Sequence, residues 1–293
     1  MHGDALSDQG AGDPVVARRA TAAVYELGES PRWDRHSDRW YWCDIAGGKV
    51  WSASEAEPGV LGEPHLERAL CESVTSVNRV GDDLVLTTGD RILHGASFDG
   101  LLATDSLIDR SGGRRFNDAA ADPAGRLFVG TLSEQDDEAL YRWDGADLTV
   151  VRSQVQLSNG IGWSPDGAVM YHVDSRSRTL SAAPYEMADG SVGPWATVRY
   201  FPDGYPDGLH VDTDGCIWVA VWGRAEVQRI GPSGEWLECI AIAAANTTAC
   251  AVGGPDGSTM LITSAWTGLT QQERQTHPAS GAIFTTRLPK AQQ

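Results

Sequence analysis

The feature that most constrains this chain is a repeat carried by spacing rather than by identity. A short polar start, an apolar strand, a turn with Gly or Asp and a second, aromatic-rich strand recur, opening near Glu29, Ser76, Asn117, Asn159, Asp207 and Ala249. The gaps between successive openings are 47, 41, 42, 48 and 42 residues, and each accommodates one four-stranded blade. Six such units fill nearly all of the 293 residues, so the predicted fold is all-β, a six-bladed β-propeller. Length alone permits one large domain or two ordinary ones; the repeat decides for one, over residues 20–293, behind a tail, 1–19, expected to be disordered. A ring of blades leaves few strand edges open. The stretch Ala20 to Tyr25 is the candidate strand that completes the last blade, around Ala282 to Leu288, and latches the ring.

Turn signals fall where hairpins are required. Asp122-Pro-Ala-Gly125, Ser164-Pro-Asp-Gly167, Asp212-Thr-Asp-Gly215 and Gly254-Pro-Asp-Gly257 supply the residues of tight turns. Each precedes a run rich in β-branched, aromatic and aliphatic residues: Arg126 to Gly130, Val169 to Asp174, Cys216 to Trp222 and Thr259 to Ser264. No stretch reads as a convincing amphipathic helix.

Composition narrows the partners. With 23 Lys+Arg against 40 Asp+Glu, the formal charge of -17 repels phosphate backbones and anionic membranes, which argues against nucleic acid and lipid and suits a cation. The five cysteines (Cys43, Cys71, Cys216, Cys239 and Cys250) show no CxxC spacing and read as buried thiols in a reducing compartment. Met1 to Ala20 contains no apolar stretch of the kind a signal peptide needs, so the expected location is cytoplasmic.

Aligning the units by their turns puts Glu29, Asn117, Asn159 and Asp207 in one register, each five residues ahead of Asp34, Asp122, Ser164 and Asp212 respectively. The opening residue of an innermost strand lies at one mouth of the channel, so these four oxygen-bearing side chains are expected to converge there. Carboxylates and amide oxygens together are what a hard divalent cation selects. A single Asn-Gly or Pro-Asp-Gly is an ordinary turn former. Four in one register are not explained that way, and the turns that follow Asn159 and Asp207 come five to eight residues later. Arg115, two positions before Asn117, lies on the same face of an extended segment and can present a guanidinium to substrate oxygens.

Other candidates carry less. His210, three residues after Asp207, faces away on a strand, and the seven histidines show neither HxH nor HExxH spacing, so structural roles are expected of them. No GxSxG elbow is present, and no cysteine has a matching histidine motif. Trp33, Trp42, Trp163 and Trp218 fall at strand positions repeated between blades and read as inter-blade core.

Taken together, Glu29-Ser-Pro-Arg-Trp-Asp34, Arg115-Phe-Asn-Asp118, Asp122-Pro-Ala-Gly-Arg126 with Gly130-Thr131, Asn159-Gly160 with Trp163-Ser-Pro-Asp-Gly167, and Pro206-Asp-Gly208 with Trp218-Val-Ala220 resemble the gluconolactonase, regucalcin (senescence marker protein) and luciferin-regenerating enzyme family. The likeness runs from about Leu27 to Leu288. It implies a six-bladed propeller with one divalent metal ion (calcium, zinc, manganese, magnesium or iron(II)) held by Glu29, Asn159 and Asp207. It also implies that Arg115 and Asn117 contact the substrate, and that a further acidic contact falls at Glu134 or Gln135. The Gly usual after the metal-binding Glu is Ser30 here, a change expected to be tolerated. The implied activity is hydrolysis of a small sugar lactone, such as a glucono-, xylono- or arabinonolactone, and Asp207 is the candidate for metal ligand and general base together. Two rival readings share these residues: a metal-dependent esterase or phosphotriesterase, and a non-catalytic calcium-binding or protein-interaction propeller. A closed structural site asks for more ligands than three side chains, which leaves room here for water and substrate.

Overall fold

The computed structural model describes residues 15–289, and in it the chain forms the expected six-bladed propeller. Blade one pairs Gly28–Asp34, Arg39–Asp44, Lys49–Ala53 and His65–Ala69; blades two to five open on the innermost strands Ser76–Val80, Arg115–Ala121, Ser158–Trp163 and Tyr205–Val211. Blade six opens on Asn246–Gly253 and is completed by the N-terminal pair Arg18–Arg19, antiparallel to Phe284–Arg287. The N-terminus thus closes the ring as expected, but the strand lies earlier than predicted. Thr21 accepts a hydrogen bond from the Ile283 N–H and donates to the Ala23 carbonyl, which turns the chain out of strand geometry immediately after the latch. Only Ala20 and Tyr25 of the predicted stretch bond to the last blade through their backbones. Val15–Val16 add a parallel strand to the outer edge of blade five, so residues 15–19, counted in the tail by the sequence, are paired. The remainder of that expected tail, residues 1–14, lies outside the described residues.

The predicted hairpins form, and their acidic residues do more than turn the chain. Asp122 accepts from the Arg126 N–H and Nε, while Gly125 takes a positive φ of 82° that a Cβ would resist. Asp34 holds Arg79 of blade two through Nε at 2.9 Å and Nη2 at 2.8 Å, tying adjacent blades together. Between blades the packing is aromatic and aliphatic. Trp218 of blade five packs with Cys250, Met260, Ile262 and Phe284 of blade six, and Trp163 of blade four lies 5.3 Å from Phe128 of blade three. Cys43, Cys216 and Cys250 are buried as expected, whereas Cys71 is exposed and Cys239 half-buried; none of the five forms a disulfide.

A short helix, Gln271–Thr276, departs from the sequence reading. None of its residues is buried, so it shows no apolar periodicity. Its one legible signal is the capping box in which Thr270 and Glu273 bond reciprocally. Among the described residues no helix is long and apolar enough to cross a membrane.

Five of the innermost strands carry a β-bulge at corresponding places, where two residues oppose one on the next strand. The doubled residues are Asn117 and Asp118, Asn159 and Gly160, and Asp207 and Gly208 in blades three to five. Blade two pairs without such a shift. The two glycines are required by proximity rather than by a turn. A Cβ on Gly160 would stand 2.7 Å from the Asp207 carbonyl oxygen, and one on Gly208 would stand 2.4 Å from the Ala249 Cβ.

Ring closure concentrates on one buried carboxylate. Glu55 accepts from Trp40 Nε1 at 2.6 Å, from the Gly59 N–H at 2.5 Å and from Thr259 Oγ1 of blade six at 2.6 Å. Glu55→Ala leaves these donors without a partner, and since each buried orphan costs about 1–3 kcal/mol, a loss of at least about 3 kcal/mol is expected. Equilibrium denaturation checks this, and Glu55→Gln, which keeps an acceptor, should lose less.

Candidate active site

The site stands at the mouth where the innermost strands begin, on the floor of a cavity of about 580 Å³. Glu29, Arg115, Asn117, Asn159 and Asp207 all line it, so the residues singled out by register and spacing do converge. The register itself is shifted in blade one. Asn117, Asn159 and Asp207 occupy the first bulge position, while Glu29 precedes its bulge, which falls at Ser30 and Pro31. Ser30 sits at φ 52°, in the left-handed region that favours glycine. Its hydroxyl accepts from the Val77 N–H at 3.1 Å, and its own N–H donates to Glu29 Oε2 at 3.0 Å, fixing that carboxylate.

Asn117 is an organiser. Its Nδ2 donates to the Ser158 carbonyl and to Asn159 Oδ1, each at 2.9 Å, and its Oδ1 accepts from Arg115 Nη1 at 2.9 Å. Both amide hydrogens are therefore committed to the protein, and Asn117 sets the positions of Arg115 and Asn159. Asn159 in turn donates to Ser175 Oγ at 2.9 Å, and that hydroxyl donates to the Pro206 carbonyl at 2.6 Å. Behind them, Arg152 Nη1 lies 2.9 Å from His172 Nδ1, and His172 Nε2 lies 2.7 Å from Ser158 Oγ. A guanidinium only donates, so Nδ1 is the acceptor and Nε2 carries the proton, a structural role of the kind expected of the histidines.

Glu134 is exposed and lies outside the cavity lining. Two residues further along the same loop, Asp136 lines the mouth instead, holding Arg176 at 2.7 Å. The loop after Leu132 turns Glu134 outward as its N–H bonds to the Gly112 carbonyl.

The electrostatics add a residue that sequence reasoning passed over. Asp118, second in the blade-three bulge, is pushed up to about 6 by burial, against the Ala119 N–H that lowers it. Burial, and then the charge on Asp118, raise Glu29 to about 8 despite Ser30 and Arg115. Burial also lifts Asp207 well above the usual carboxylate range, helped by Glu29 and Asp118 and opposed by Arg115. Arg115 itself is brought down to about 10 by burial, with Glu29 and Asp207 pulling the other way. Asp207, buried, and the half-buried Glu29 thus act on the half-buried Arg115 guanidinium, while Asp118 acts on both carboxylates. The legible signal for Asp118 was its place in the Arg115-Phe-Asn-Asp118 motif; what hid it was the bulge, which turns two consecutive side chains inward.

Residues 27–266 match the SMP-30/gluconolactonase/LRE-like region. The chain belongs to this family. Among its relatives, regucalcin of Gallus gallus is 34% identical over 276 residues, covering 89% of this chain and 90% of that one. The 6-deoxy-6-sulfogluconolactonase of Pseudomonas putida is 32% identical over 271 residues, covering 89% and 91%. The solved calcium-binding protein regucalcin of Agrobacterium tumefaciens str. C58 superposes with a TM-score of 0.85 at 25% identity over 93% of each chain.

On the far side of the bulges lies a second, smaller chamber lined by residues that include Arg32, Asn78, Asp118 and His210. Burial holds His210 down at about 4, against a smaller pull from Asp212. Between pH 6.5 and 4 the unfolded chain then binds a proton that the folded one refuses, so stability falls as pH drops through that window. His210→Gln should flatten this acid limb by at most about 1.4 kcal/mol per pH unit, read from urea midpoints across the range.

Proposed function

We propose that the chain hydrolyses small sugar lactones of the aldonolactone class to the corresponding sugar acids, with one divalent cation at the cavity floor. The observation that carries this reading is Asp207 Oδ1, buried at the floor with no hydrogen-bond partner. An orphaned carboxylate oxygen beside a second carboxylate, with one guanidinium between them to offset two charges, fits a hard cation, and the donors are all oxygen. Among the described residues no three His, Cys, Asp or Glu side chains gather closely enough to hold a metal by themselves. The set is therefore mixed: Glu29, Asp207 and the amide oxygen of Asn159, whose single bond from Asn117 leaves a lone pair free. When bound, the cation supplies Lewis-acid polarisation of a carbonyl and acidifies water.

The chain's own residues do the rest. Arg115, locked by Asn117, directs its remaining guanidinium hydrogens at the lactone oxygens. Asp207 takes the proton of the attacking water as its hydroxyl adds to the acyl carbon, and returns it to the ring oxygen as the ester C–O bond breaks. Names of relatives such as 6-deoxy-6-sulfogluconolactonase support lactone chemistry. The free cysteines, one of them exposed, support a reducing, cytoplasmic setting.

The test is lactone hydrolysis followed by proton release, with the protein stripped by chelator and resupplied with calcium, zinc, manganese, magnesium or iron(II) singly. Activity should vanish and return with the native cation, which should also raise the melting temperature of the wild type but not of Asp207→Ala. Asp207→Ala should reduce turnover to background. Arg115→Ala should chiefly raise KM, by roughly ten- to a hundredfold for a lost charge-assisted hydrogen bond. Wild-type turnover in Asp207→Ala would sink the scheme.

A further inference from the structure

Above its floor the cavity is lined largely by apolar side chains, with Gln156, Tyr205 and Thr267 the polar groups among them and the Asp136–Arg176 pair beside them. The apolar belt is made by Leu27 and Ile45 of blade one, Leu132 of blade three, Leu157 ahead of blade four, and Pro206 and Trp222 of blade five. This belt offers no side-chain hydrogen-bonding group except the Trp222 indole N–H.

The floor is short of donors as well. Both hydrogens of the Asn117 amide, one of the Asn159 amide and the hydroxyl hydrogen of Ser175 are consumed inside the protein, leaving Arg115 as the charged floor donor directed at substrate. A ligand bearing a hydroxyl on every carbon has Gln156, Tyr205 and Thr267 to pair with beyond Arg115, and each further hydroxyl left against the Leu and Trp side chains is costly. The volume of about 580 Å³ falls in the range that encloses drug-sized ligands, well beyond a lone lactone ring.

We infer that the belt is a subsite for an apolar substituent on the lactone ring, an alkyl or acyl chain of several carbons, and that such lactones are better substrates than hydroxyl-rich aldonolactones. The inference rests on the lactonase reading and keeps its chemistry: the same ester bond opens at the floor, while the substituent extends along the belt towards Asp136 and Arg176. Each methylene that leaves water for the belt should improve kcat/KM by up to about fourfold, as burial of a CH₂ group does elsewhere.

The experiment uses the full chain, loaded with whichever cation supports turnover, and compares gluconolactone with γ-lactones whose alkyl substituent lengthens from none to eight carbons. The expected result is a kcat/KM that climbs with chain length, passes the value for gluconolactone and levels off once the belt is filled. Trp222→Ala and Leu157→Asp should each cut the ratio of long-chain to unsubstituted rates by roughly tenfold, and the wild-type series stands even if a variant fails to fold. A flat or falling series with gluconolactone turned over overturns the subsite and leaves the lactonase reading intact. No turnover of any lactone with any cation overturns both.

Discussion

The site depends on one backbone irregularity repeated around the ring. A regular strand alternates its side chains, so two consecutive residues cannot both face the channel. The extra residue in the innermost strands of blades three, four and five re-aims Asn117, Asn159 and Asp207 to the cavity floor and turns Asp118 inward below them. The cost is crowding near the axis, which Gly160 and Gly208 relieve by having no Cβ. Blade two, without the shift, contributes nothing to the cavity lining.

From that constraint the electrostatics follow. Carboxylates brought this close in a buried place raise one another's pKa, and one guanidinium, itself weakened by burial, does not offset them. The polar atoms around them are tied into a network running from Arg152 through His172 and Ser158 to Asn117 and Asn159, so the floor is rigid before any ligand arrives. Rigidity also removes donors: a network that satisfies its own hydrogen bonds has few left for substrate hydroxyls, and the belt above supplies apolar surface instead.

Much of the architecture was legible in the sequence because a propeller writes its geometry as a period. The blade openings, the four acidic or glycine turns and the floor residues Glu29, Asn159 and Asp207 all follow from spacing. The latch was placed slightly late because Thr21 is held by a hydrogen bond from Ile283, 262 residues away, which no local pattern records. The Gln271–Thr276 helix escaped because a fully exposed helix needs no apolar face. The further acidic contact was placed at Glu134 or Gln135, whereas Asp136 lines the cavity, because residue type was readable but the direction of a loop side chain was not.

By itself, the sequence determined the number of blades, the side of the ring on which the oxygen donors gather, and the family. Strand period and turn chemistry are local properties, and repetition makes them additive along the chain. The tertiary structure alone decided that Glu29 sits a step out of register with its counterparts, that Asp118 joins the buried charges, that Asn117 organises its neighbours, and that apolar side chains from four blades close into a belt. Each of these depends on which strands become neighbours and how a bulge aims them. Such distances are set between residues far apart in the chain, where spacing carries no information.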